Sequence, residues 1–162
     1  MKLYLVQHGA ACAKEVDPER PLTEQGKDDV DRMAAFLGQA GIRVERVIHS
    51  GKLRAAQTAE HLARALAPGV ELETSSVINP NDDSKLFDWR SASGMRDTLV
   101  VGHLPFMAKL VALLVVGDES KIVVDYQAGS VVCLQLADDR HWQIDWMIRP
   151  ELVRKTNTRE PV

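Results

Sequence analysis

The chain is poor in cysteine. Cys12 and Cys133 are its two, and they form no metal-binding or redox motif. A disulfide scaffold is thereby excluded, and a reducing cytoplasm is the expected location. Nor is there an excess of basic residues: 20 Lys and Arg against 23 Asp and Glu leave a net charge of −3. That balance gives no electrostatic case for nucleic acid or an anionic membrane as a partner. Long apolar runs are missing as well. The longest, Leu110 to Val116, is far too short to span a bilayer, and Leu3–Val6 is too short for the apolar region of a signal peptide. No two histidines stand at a helical zinc-binding spacing with a carboxylate partner, so neither a metal nor another cofactor is expected. Repeats, linkers and low-complexity segments are absent too. One domain over residues 1–162 is the expectation, its polar tail partly loose after about residue 150.

What is present reads as strands alternating with helices. Leu3–Val6, Arg46–His49 and Thr98–Val101 are short apolar runs of the kind that form buried strands, with a weaker one between Val70 and Val77. Thr23 is placed to cap a helix in which Val30, Met33, Ala34 and Leu37 point inward and Lys27, Asp28, Asp29 and Arg32 outward. Gly41 suits its stop. A second helix runs from about Lys52 to Leu66 with Leu53, Leu62, Ala63 and Leu66 inward, and Pro68-Gly69 breaks it. Leu86–Trp89 lies in a short helix. Pro105 fits the first position of another helix, which carries Leu110 to Val116 into the core. Ser130–Leu136 and Trp142–Met147 read as an antiparallel pair joined across Asp138-Asp139-Arg140. This order predicts an α/β fold with a mainly parallel, mixed central sheet covered on both faces; strand order stays open.

Three of these strands end in polar residues. Gln7-His8-Gly9 follows the first, Ser50-Gly51-Lys52-Leu53-Arg54 the second and Gly102-His103-Leu104-Pro105 the fourth. Carboxyl ends of strands are where open α/β sheets present ligand-binding groups. His8 taken alone reads equally well as a strand-end histidine bonded to a neighbouring carbonyl, and Arg54 alone as a solvated helical arginine. Together they make a converging site, with Gly9 supplying backbone freedom at the turn. Ser50 reads as a helix cap, Gln57 and Thr58 as helix–loop support, and His49, His61 and His141 as structural or surface residues.

The chain resembles the histidine phosphatase superfamily, and its short phosphohistidine phosphatase (SixA-type) branch most closely. The resemblance rests on Gln7-His8-Gly9, Arg20-Pro21-Leu22-Thr23, the phrase from Ser50 to Thr58, and Gly102-His103-Leu104-Pro105, all in family order and spacing. It implies a three-layer α/β/α sandwich of the phosphoglycerate mutase-like kind and makes His8 the residue that is transiently phosphorylated. It also implies phosphate-binding roles for Gly9, Arg54 and His103, and brings Arg20 to the site rim. One departure stands out. The family pattern begins Arg-His-Gly, and here Gln7 occupies the arginine's place.

Phosphoryl transfer needs an in-line nucleophile and fixed positive charge around the equatorial oxygens. A neutral imidazole at His8, held in one tautomer, supplies the first; Arg54, and a protonated His103, supply the second. Arg20 stands to replace part of the charge missing at Gln7, which can itself still donate through its amide. Asp82 and Asp83 are the weak candidates for a general acid. Their surroundings do not match the ester-cleaving pattern, which favours a P–N substrate because imidazole leaves more readily than an alkoxide. The leading expectation is a metal-independent phosphatase acting on phosphohistidine of a protein. A small-molecule phosphomonoesterase and a catalytically weak phosphate-binding protein are the alternatives, the second because of Gln7. The oligomeric state is not legible.

Overall fold

The computed structural model describes residues 1–137 and 140–154. A six-stranded sheet forms its centre. The strands are β1 (Lys2–Gln7), β2 (Arg46–His49), β3 (Leu72–Thr74), β4 (Thr98–Gly102), β5 (Val131–Ala137) and β6 (His141–Ile148), in the spatial order β3-β2-β4-β1-β5-β6. The first four run parallel to one another, while β5 and β6 add an antiparallel hairpin beyond β1. The mixed sheet expected from the late hairpin is therefore present. Asp138 and Asp139, read as the hairpin's turn, lie outside the described residues.

Side-chain alternation along β1 divides the core into two layers. Tyr4 and Val6 face the cluster made with α1 (Glu24–Gln39) and α2 (Leu53–Leu66). Leu3 and Leu5 face the opposite cluster, built on α4 (Phe106–Val116) and the segment around Ile78 and Phe87. The result is the expected three-layer α/β/α sandwich. The short helix expected at Leu86–Trp89 is split into a 3₁₀ turn at Ser84–Leu86 and α3 (Trp89–Ser93), each capped by an aspartate side chain, Asp83 and Asp88. Pro105 stands one place before its helix, as the cap. Val116, counted toward the core, is half exposed at that helix's end. Among the described residues no helix is long and apolar enough to cross a membrane.

Two side chains depart from the helical pattern for clear reasons. Asp29, expected outward, is buried on α1, because Arg32 and Arg154 bond its carboxylate at 2.7 and 3.0 Å. Burial alone would raise its pKa, yet the two guanidinium groups hold it below the ordinary aspartate value. Leu53, expected inward, is 37% exposed, since it opens α2 on the same rim as Arg54. Arg154 follows a 3₁₀ turn at Pro150–Val153 that packs on α1, so the chain remains anchored up to this point. The expectation of a loose end falls on residues 155–162, outside the described residues.

The first turn of α1 supports the end of β1 through contact between backbones. Thr23 caps the helix by accepting the Gly26 N–H at 2.9 Å, and the Thr23 N–H donates to the Ala10 carbonyl oxygen. A Cβ on Gly26 would lie 2.1 Å from that same Ala10 oxygen. Gly9 also needs space, and not the conformational freedom anticipated for it. Its φ is not positive, but a Cβ there would meet Val30 at 2.9 Å and the Gly26 carbonyl oxygen at 3.2 Å. Gly26→Ala is therefore expected to push the His8–Ala10 turn off α1. It should lower stability by about 1–3 kcal/mol in urea unfolding, as overpacking does, and weaken anion binding at the turn. Gly41→Ala, a change at the α1 stop where the added methyl meets nothing within 4 Å, gives the contrasting case: backbone strain with no effect on the turn.

Candidate active site

Strand order brings the predicted residues together. Because β4 lies between β2 and β1, His103 at its end is flanked by His8 on one side and by the Ser50–Arg54 segment on the other. Four backbone hydrogen bonds fix the His8 end. The His8 N–H donates to Gly102 O at 3.0 Å and the Gln7 N–H to Ser130 O at 3.2 Å, while the Gly129 N–H reaches both Gln7 O and His8 O at 3.1 Å. Gly129 can do this because its φ of +83° is open to glycine.

His8 Nδ1 lies 2.7 Å from the Gly9 carbonyl oxygen. A carbonyl oxygen can only accept, so the neutral ring carries its proton on Nδ1 and its lone pair on Nε2. Arg54 donates from Nε to that lone pair at 3.2 Å. Burial, opposed in part by the Gly9 bond and reinforced by Arg54 and Arg20, pushes the His8 pKa down to about 4. His8 is thus neutral at pH 7, with one nitrogen fixed and the other available.

The His103 ring centroid is 5.0 Å from that of His8. Its Nε2 lies 2.6 Å from Ser50 Oγ, and Nδ1 is buried with no partner among the described residues. Burial first, then His8, Arg54, Lys52 and Arg20, push its pKa down to about 3. In this structure burial, and after it the surrounding cations, favour a neutral His103, whereas the role expected from the sequence calls for a protonated one. Ser50, read as a helix cap, has another principal partner. The cap of α2 is Lys52, without a side-chain bond, and Ser50 bonds to His103.

Supporting contacts hold the rest. Thr58 accepts the Gly9 N–H at 3.0 Å and donates to Arg54 O at 2.7 Å, tying the His8 turn to α2. Gln57 Oε1 accepts the Leu22 N–H at 2.8 Å. Arg20, at a φ of 51°, donates to Cys12 O, and its charge bears on His8, Arg54 and His103. Gln7 Oε1 is buried and unpartnered. Asp82 and Asp83 are engaged elsewhere, accepting the Asn79 and Lys85 N–H groups. His49 accepts the Gly51 N–H, His61 pairs with Asp31 at 2.6 Å, and His141 is exposed on β6. Sequence reasoning missed Lys52, whose only signal was its place between Ser50 and Arg54, and misassigned Ser50. Among the described residues no group of three or more His, Cys, Asp or Glu side chains could hold a metal ion.

Cations outnumber anions here. Neither α2 nor α4 has an acidic residue in its first turn, and no carboxylate is among the groups that shift His8, Arg54 or His103. Arg54, Arg20 and Lys52 thus place their charge near two neutral imidazoles, at strand ends that lead into α2 and α4, an arrangement that favours a bound oxyanion. An NMR titration should find the His8 ring protonating with a midpoint near 4, well below the ordinary 6.5. A bound oxyanion should raise that midpoint. The depressed value also stabilises the fold above about pH 6.5, where folded and unfolded chains both hold the ring neutral, and that contribution is lost as pH falls toward 4.

Comparison with known proteins places the chain among similar sequences and folds. The family model described as histidine phosphatase superfamily (branch 1) matches residues 3–77. Phosphohistidine phosphatase SixA of Escherichia coli (strain K12) is 28% identical over 155 residues, covering 93% of this chain and 94% of that protein. An uncharacterised protein of Picosynechococcus sp. is 30% identical over 126 residues, covering 73% of this chain and 75% of its own length. The solved structure of the protein histidine phosphatase SixA complexed with tungstate superposes with a TM-score of 0.85 at 26% identity, covering 95% of this chain and all of that one.

Proposed function

The chain belongs to the histidine phosphatase superfamily, and on that premise we propose that it hydrolyses a phosphoryl group from phosphohistidine of a protein through a covalent intermediate on His8. The observation that carries the reading is the His8 ring: neutral, proton on Nδ1 against Gly9 O, and Nε2 facing Arg54 in a site rich in positive charge. The Nε2 lone pair attacks phosphorus as the bond to the leaving nitrogen breaks, and the departing imidazole takes a proton from solvent. Arg54 shifts from Nε2 to the phosphoryl oxygens, joined by His103 and Arg20. Water then attacks phosphorus, the bond to His8 Nε2 breaks, and inorganic phosphate leaves with His8 restored. No step calls for a metal.

The kind of leaving group follows from acidity. A departing alkoxide needs a strong proton donor, whereas imidazole accepts a proton near neutrality. Asp82 and Asp83 are committed to backbone N–H groups, and no other carboxylate bears on the two histidines. That supports a P–N substrate over a phosphate ester. Steady-state assays with a phosphohistidine protein against a panel of sugar and nucleotide phosphates separate the two classes. Label from ³²P-phosphohistidine should appear on His8 in a rapid quench, and chelators should leave turnover unchanged. His8→Ala should abolish turnover with the fold intact. Arg54→Ala and His103→Ala should each lower kcat/KM by roughly 30- to 1,000-fold. A His8→Ala protein that keeps activity removes the covalent mechanism.

Gln7 gives the second test. A neutral amide bond to phosphate is worth about 1–2 kcal/mol less than the charge-assisted bond of an arginine, or roughly 5- to 30-fold in rate. If Arg20 makes up the missing charge, Arg20→Ala should be severe in the parent and mild alongside Gln7→Arg, as read by kcat/KM in a double-mutant cycle. Equal losses in both backgrounds exclude compensation. A parent inactive on every phosphohistidine substrate, made active by Gln7→Arg, would support the phosphate-binding reading that Gln7 suggests.

A further inference from the structure

The Ser50–His103 pair has no counterpart in the roles given above. Both residues are buried, at 8% and 1% exposure, and a bond of 2.6 Å joins Ser50 Oγ to His103 Nε2. A neutral imidazole with a partner at Nε2 has two possible states. Either Nε2–H donates to the hydroxyl and Nδ1 is a bare lone pair, or the hydroxyl donates to Nε2 and the proton sits on Nδ1. Two further observations favour the second. The Lys52 N–H approaches Ser50 Oγ at 3.4 Å from the acceptor side, leaving the hydroxyl hydrogen free to donate. Nδ1 is the buried atom without a partner, beside a ring whose own free nitrogen is a lone pair held by Arg54. A second bare lone pair there would repel an oxyanion. An N–H in that position is a donor waiting for one.

We infer that Ser50 is a positioning residue: its hydroxyl donates to His103 Nε2 and fixes the ring as the Nδ1–H tautomer, so that His103 meets an oxyanion as a neutral hydrogen-bond donor. The titratable groups whose charge bears on His103 are basic: His8 from the end of β1, Lys52 at the cap of α2, Arg54 in its first turn, and Arg20 from the loop before α1. No carboxylate among the described groups draws a proton onto the ring, so a donor that needs no added proton suits these surroundings. Both histidines then carry their proton on Nδ1 for opposite purposes. A carbonyl acceptor frees the Nε2 lone pair of His8, and a hydroxyl donor leaves the Nδ1–H of His103 unengaged.

The tautomer itself is independent of any activity, whereas its catalytic consequence rests on the phosphatase reading. The decisive measurement is ¹⁵N NMR of the full chain labelled at histidine, at pH 7.5. His103 should have a protonated Nδ1 and an unprotonated Nε2 in the parent, and inorganic phosphate or vanadate should shift Nδ1 while leaving the tautomer in place. A parent with its proton on Nε2 overturns the inference, whether or not any variant folds. In Ser50→Ala the ring should revert to the Nε2–H form that free imidazoles favour. On a phosphohistidine substrate kcat/KM should then fall by roughly 10- to 100-fold at pH 8, less than for a preorganised donor removed outright. That deficit should persist down to pH 5, because a ring whose pKa is pushed down to about 3 stays neutral there and cannot regain the Nδ1–H by protonation. Ser50→Thr should restore both the tautomer and the rate. A deficit with the tautomer unchanged reduces Ser50 to a packing role and overturns the inference. Absence of turnover on all phosphoryl substrates, with the Nδ1–H tautomer observed, overturns the phosphatase reading alone.

Discussion

The hydrogen bond between His8 Nδ1 and the Gly9 carbonyl oxygen is the interaction on which the site depends. It decides which nitrogen of His8 holds the proton, and so which is free to react. A bond within one turn of chain can do this only if the turn is rigid. Rigidity comes from four directions: β4 and the entry to β5 hold the backbone of His8, Thr58 holds the Gly9 N–H, and α1 is pressed against Gly9 and Ala10 at glycine distance. Each support belongs to a different element, and the strand order β2-β4-β1 makes them neighbours. Burial then keeps the ring neutral while letting Arg54 approach it. A charged His8 beside Arg54 and Arg20 would be repelled, so the positive field and the neutral imidazole suit each other.

Much of this was legible in the chain. Alternating apolar runs and helical periodicities gave the layers, and Thr23, Gly41 and Pro68-Gly69 marked helix boundaries because caps and breakers act through local chemistry. The residues at strand ends also stood out, since three strand ends carrying His, Arg and His converge, although His8 or Arg54 taken alone reads as structural. Strand order was not legible. It depends on which edges pair across the whole sheet, and no local pattern encodes that.

The misreadings share a physical cause. Asp29 looked like a solvent-facing helical carboxylate because its two partners, Arg32 and Arg154, include one from the far end of the chain. Ser50 looked like a cap because Ser before a helix usually is one; its partner lies on another strand. Gly9 looked like a residue chosen for φ, whereas its constraint is the approach of α1. Ser50 and Gly9 were read correctly as special, and Asp29 was not. The reason lay in a contact distant in sequence, which residue spacing within one element does not report.

The same separation of causes bears on Gln7. If Gln7 stands where the family pattern has an arginine, a cation is missing beside the proposed nucleophile, and two effects could follow: weaker hold on an oxyanion, or a change in the charge state of His8. The second is small. Burial is the largest influence on the His8 ring and lowers its pKa without help from position 7, and Arg54 and Arg20 push the same way. An arginine at position 7 would press in that direction too, on a ring already neutral at pH 7. On the proposed reading, Gln7 therefore bears on oxyanion binding and leaves the protonation of His8 intact. Its buried, unpartnered Oε1 carries a related cost, since an amide oxygen turned toward a phosphoryl oxygen would repel it. For Gln7 to help, its NH₂ must be the end that meets the anion, a choice of rotamer that an arginine, with donors on every side of its fork, never has to make.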